Sequence, residues 1–181
     1  MKRFMQASLL LISAVAFAQS KTSPEEIVRR VADNIIRTTS FQFVNNKTNE
    51  KFGSTKGKDT SVYVKAESKF NKWMYVNGVL AVGMLRISNI LKDQKYADYS
   101  KKNFSFIFDN LDYFKRQFDA GRQNIEYRPV FRIGSLDDCG SMSAALLDVY
   151  YFDKRPDYME YLNRVSDHIL SRQVRFPDGT L

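Results

Sequence analysis

The stretch WMYVNGVLAVGMLRISNIL, Trp73 to Leu91, decides the architecture. Its apolar residues fall on nearly all sides of a helix rather than along one stripe. A helix of that kind is buried among other elements. Gly78, Ala81 and Gly83 lie within it and permit a neighbouring helix to approach closely.

The segment that follows is different in kind. From about Tyr96 to Phe118 the residues Phe104, Ile107, Phe108, Leu111, Phe114 and Phe118 recur on one stripe, with lysines elsewhere. That spacing predicts a single one-sided outer helix. The pair then repeats: CGSMSAALLDVYY is again small and apolar, and DYMEYLNRVSDHIL is again amphipathic through Tyr158, Tyr161, Leu162, Val165 and Ile169. The turns between partners, KDQKYADY and DKRPDY, place Asp93 and Asp153 60 residues apart. A buried helix followed by a one-sided helix, repeated, predicts an all-α fold. Its helical hairpins would form an inner ring packed inside an outer ring, an α/α toroid. The two inner helices then run in the same direction and open their N-termini on one face.

An amphipathic helix precedes this unit. TSPEE supplies a serine cap, a proline in the first turn and acids at the positive end, and Val28, Val31 and Ile35 define its stripe from Pro24 to Thr38. Residues 40–70, containing NNKTNEKFGSTKGKDTS, are polar and aperiodic and read as a long loop.

The N-terminus reads as a targeting segment. MKRF is a positive start, LLLISAV an apolar core, and Ala16-Phe17-Ala18 a small-x-small cleavage site, so residues 1–18 are expected to be a signal peptide and 19–181 the mature chain. The apolar run is too short for a membrane anchor. Export to the periplasm or medium is the expected localisation. The net charge of +8 falls to +6 once Lys2 and Arg3 leave. That balance favours anionic partners, but the cations are dispersed, and export argues against nucleic acid. Cys139 is the one cysteine and His168 the one histidine, so no disulfide, metal site or cofactor is expected.

The chemistry-bearing stretch is GSLDDCGSM, Gly134 to Met142, at the start of the second inner helix. A carboxylate at a helix N-terminus is an ordinary cap. Two adjacent acids exceed what one cap needs, so Asp137 is expected to cap and Asp138 to point into the ring. Trp73, Tyr75 and Asn77 begin the other inner helix on the same face, where aromatic rings near an acid suit a sugar. Arg128 and Arg132 precede the acids and could meet a uronate carboxylate by bidentate pairing.

These residues carry a family resemblance. KWMYVNGVLAVGMLRI is similar to the W-x-Y-x-x-G-V/L opening of the unsaturated glucuronyl and rhamnogalacturonyl hydrolases, glycoside hydrolase families 88 and 105. SLDDCGSMSAALLDVY and then LSRQVRFPDGTL resemble the next landmarks in order, so the likeness runs from about Ile27 to Leu181. The resemblance implies an (α/α)6 toroid. It implies a substrate left by polysaccharide lyases, an oligosaccharide ending in a 4,5-unsaturated uronic acid, which is released by hydration of the double bond. It implies Asp138, then Asp137, as catalytic candidates, with Trp73, Tyr75, Asn77 and Arg132 at the sugar. The family's second aspartate follows a Trp-rich segment and is expected beyond Leu181, so the chain is expected to hold about the first half of the toroid. Two other readings stand beside it. One is a non-catalytic helical module binding anionic glycans or a partner protein. The other is a sugar epimerase of similar fold, which the shortage of histidines disfavours.

Overall fold

The computed structural model describes residues 22–180, so the expected signal peptide lies outside the described residues. The chain enters through α1 (Pro24–Thr38), with Ser23 Oγ accepting from the Glu26 N–H at 3.1 Å. Two hairpins follow the pattern expected. The first pairs α2 (Tyr75–Leu91) with α3 (Lys95–Phe108), and the second pairs α6 (Leu136–Tyr150) with α7 (Pro156–Asp167). Between the hairpins lie α4 (Leu111–Asp119) and the single turn α5 (Arg128–Phe131). A π-type turn, His168–Arg172, ends α7. The described residues are thus mainly helical, an all-α arrangement of hairpins with α2 packed on α6.

Two expectations are corrected. The stretch 40–70 is not a plain loop. It contains β1 (Phe43–Asn45), β2 (Lys51–Phe52) and β3 (Val64–Ala66), an antiparallel sheet in the order β2-β1-β3, with Phe43 opposite both Phe52 and Ala66. Such short strands carry too little alternation to be read from sequence. Tertiary contacts hold them: Phe43 is fully buried and stacks on Phe106 at 4.6 Å between ring centroids. Gln117 Nε2 donates to the Thr60 and Val62 carbonyls at 3.0 and 2.8 Å, and Tyr113 Oη donates to the Val62 carbonyl.

The second correction concerns the helix expected over 96–118, which breaks at Asp109–Asn110 into α3 and α4. Asn110 Nδ2 donates to the Phe106 carbonyl at 2.7 Å, while its Oδ1 accepts from the Thr55 N–H and hydroxyl at 2.7 and 2.9 Å. An asparagine that offers the backbone such alternatives interrupts a helix. The apolar stripe survives the break, because Phe104, Ile107, Phe108 and Phe114 are all buried.

The core is aromatic. Trp73 meets Phe104, Phe108 and Tyr161 edge-on, with centroids 6.1, 5.9 and 5.0 Å away, and so ties the entry of α2 to α3 and α7. Edge-to-face pairs of this kind add to the burial of the rings themselves. A second cluster, Ala32, Met84, Tyr96 and Tyr99, seats α1 on the α2–α3 hairpin. The start of α1 lies at the end of α2, since Arg29 Nη2 donates to the Leu91 carbonyl at 3.3 Å.

Candidate active site at two helix N-termini

Helix α2 starts without a cap of its own. Its N-cap residue, Met74, is extended and offers no side-chain acceptor. The first N–H of the helix, at Tyr75, is bound instead by Asp138 Oδ1 from α6 at 2.8 Å. One turn further along α6, Ser141 Oγ donates to the Tyr75 carbonyl at 2.8 Å. Next on α2 comes Gly78, where an added Cβ would lie 2.4 Å from Ser141 Oγ and 2.5 Å from the Ser141 carbonyl carbon. Contacts therefore advance together along both helices, 75 with 138 and 78 with 141. The two inner helices run in the same direction with their N-termini side by side.

Helix α6 has its own cap, and it is not the residue expected. Ser135 Oγ accepts from the Asp138 N–H at 3.4 Å. Asp137, expected as the cap, is exposed in the first turn and makes no hydrogen bond among the described residues. Asp138 is half-buried, and one of its oxygens is engaged across the helix pair. Both carboxylates sit where aligned peptide dipoles leave partial positive charge, doubled here by a second helix.

The remaining candidates divide between this junction and its surroundings. Tyr75 is 51% exposed, and its backbone N–H is the group that meets Asp138. Trp73 is only 4% exposed, and its six-membered neighbours are core residues rather than solvent. Asn77 is buried, and its Nδ2 donates to the Lys69 and Lys72 carbonyls at 2.9 and 2.8 Å, pinning the turn that leads into α2. Arg132 is exposed and lines a separate hollow with Arg164, His168 and Arg172. The structure thus brings Tyr75 and Asp138 together, puts Trp73 and Asn77 beneath them, and sets Arg132 apart.

Two residues at this end were not legible in the sequence. Ser141 is one; its i+3 spacing from Asp138 puts both on one face of α6, which the small-residue run only hinted at. Glu126 is the other. It shares a hollow of about 210 Å³ with Lys72, Trp73 and Tyr127 at the entry to α2. Burial pushes its carboxyl above the usual range, with Lys72 pulling the other way. No local pattern in NIEYRPV marks it. Cys139, beside the two acids, is buried; desolvation pushes its thiol up, which makes it a poor nucleophile.

The site is thus built on two helical hairpins whose inner members lie with adjacent N-termini, one of them carrying the carboxylates. The model of the family described as Glycosyl Hydrolase Family 88 matches residues 46–181, and the chain belongs to that family. The matched span includes both hairpins, the strands β2 and β3 and every residue of the junction. No curated protein matches the chain.

Proposed function

We propose that this glycoside hydrolase chain acts on oligosaccharides ending in a 4,5-unsaturated uronic acid, with Asp138 as the carboxylate that meets the unsaturated ring. The observation that carries the reading is the half-buried Asp138 at the meeting of two helix N-termini, bound to the backbone N–H of the exposed Tyr75. The paired positive helix ends suit the anionic uronate. Tyr75 offers a ring face to the sugar, while Trp73 and Asn77 fix the backbone from which it projects. Asp137, on the same turn, is the second candidate acid.

In the chemistry proposed, a carboxyl group delivers a proton to C4 and water adds its oxygen at C5, returning a proton to the carboxylate. The resulting hemiketal opens by breaking the bond from C5 to the ring oxygen. Collapse at C1 then expels the attached saccharide as an alcohol. A group that first gives and then takes a proton is a general acid–base catalyst. The leader expected at the N-terminus supports a substrate met outside the cytoplasm.

The test is turnover of unsaturated glucuronyl and galacturonyl disaccharides, followed as loss of the conjugated enol-ether absorbance. Loss with wild type and none with Asp138→Asn is the expected result. Cleavage of a saturated uronyl glycoside at comparable rate would sink the hydration chemistry. Binding of the disaccharide without turnover would leave a glycan-binding module instead.

A further inference from the structure

The hollow that holds Arg132 is the strongest feature outside the junction. It measures about 300 Å³ and is lined by Phe131, Arg132, Ile133, Arg164, Asp167, His168 and Arg172. Two stretches build it: the end of α5 and the link to α6 contribute residues 131–133, and the end of α7 with its π turn contributes the rest. The location is set by the antiparallel α6–α7 hairpin. Arg164 Nη2 donates to the Val130 and Phe131 carbonyls at 3.3 Å each, which docks the last turns of α7 just ahead of the Ser135 cap. The hollow therefore opens at the same end of the molecule as Asp138.

Its chemistry points to an anion. Three arginines line it against one carboxylate, Asp167, which is paired with Arg172 at 2.9 Å. The Arg132 side chain has no ion-pair or hydrogen-bond partner among the described residues. Arg164 is held in place by two carbonyls and retains further N–H groups. His168 Nε2 is buried without a partner. A buried polar nitrogen left unpaired costs free energy that an incoming acceptor would recover. Planar guanidinium forks converging on one space recognise oxyanions by paired, charge-assisted bonds.

We propose that Arg132, Arg164, Arg172 and His168 form an oxyanion subsite that takes a second acidic group, carboxylate or sulfate, borne by the glycan. The subsite rests on the reading of the substrate as an acidic oligosaccharide. It adds that chains with a further acidic residue bind better than neutral-linked ones.

His168 is the sole histidine, so its imidazole C–H signals report on the hollow in a proton NMR spectrum without further assignment. The full chain is titrated with trigalacturonate, with a 6-sulfated N-acetylgalactosamine and with inorganic sulfate, each against potassium chloride at matched ionic strength. Saturable movement of the His168 signals with either sugar is expected, and which sugar moves them identifies the group. Arg132→Ala and Arg172→Ala should each weaken the midpoint about tenfold, the lower end for a charge-assisted bond. Arg132→Ala is the primary variant because that side chain supports nothing else. Movement reproduced by chloride, movement unaltered by both substitutions, or saturation by free sulfate alone overturns the proposal. A normal titration in a protein that turns over no unsaturated disaccharide would defeat the hydrolase reading and keep the subsite.

Discussion

Asp138 on α6 caps the neighbouring helix α2: its Oδ1 accepts the Tyr75 N–H at 2.8 Å, while its own N–H is held by Ser135. The residue proposed for chemistry is thus also a structural link between the two inner helices. The two roles separate by substitution. Asp138→Asn retains an oxygen acceptor, and asparagine caps about as well as aspartate. It should leave the melting temperature nearly unchanged while cutting turnover by about two to four orders of magnitude. Asp138→Ala should lose the same activity and about 1 kcal/mol of stability as well. Asp137→Asn should do neither. Paired thermal melts and absorbance assays decide the matter, and turnover lost in Asp137→Asn but kept in Asp138→Asn would exchange the assignments.

Two glycines of α2 should respond with opposite sign. At Gly78 a methyl group meets the Ser141 side chain and backbone at 2.4 and 2.5 Å, so Gly78→Ala must push α6 away from α2. Overpacking of that kind costs about 1–3 kcal/mol. It should also lengthen the Asp138–Tyr75 bond and lower activity. Gly83 has open space where its Cβ would stand, and Gly83→Ala should stabilise the helix by about 0.5–1 kcal/mol. Chemical denaturation of both variants is the check. A neutral Gly78→Ala would show that the helix contact is looser than described.

The chain just after β2 is clamped to the α3–α4 break through one side chain. Asn110 and Thr55 are both buried, and Asn110 Oδ1 accepts both Thr55 donors. Asn110→Ala leaves those donors unpaired, at a cost of about 1–3 kcal/mol for a buried group. Amide exchange at Thr55 should accelerate more than exchange in α2. Equal acceleration everywhere would mean the sheet is no separate unit.

Glu126 carries the pH prediction. Burial raises its carboxyl in the folded chain above its value in the unfolded chain. The folded state then holds the proton more tightly, so its contribution to stability is present in acid. It is lost as pH rises from the ordinary carboxylate range through the raised value. Glu126→Gln keeps an acceptor and removes the buried charge. It should raise the melting temperature at neutral pH and change little in acid, below both values. A lower melting temperature at neutral pH would mean that the charged form is stabilised by Lys72 more than burial opposes it.

Periodicity alone determined α1, the two inner helices, α7 and the pairing of the hairpins. The all-round apolar run of α2, the one-sided stripe of α7 and the Ser-Pro start of α1 each state a burial pattern that a helix must satisfy locally. Their repetition implied two inner helices running the same way, and the first two family landmarks lay on those same helices. What the tertiary structure alone decided are the features made by residues distant in sequence. Strands of two and three residues exist because Phe43 is buried on Phe106 and Gln117 ties down the chain at Thr60 and Val62. The break at Asn110 exists because Thr55 competes for its side chain. Local sequence also sees a carboxylate at a helix start and assigns it to that helix. It cannot see that Met74 leaves the other helix uncapped 63 residues earlier, a vacancy that Asp138 fills. Backbone donors must find acceptors wherever the fold supplies them, and only the packing of α2 on α6 brought these two within reach.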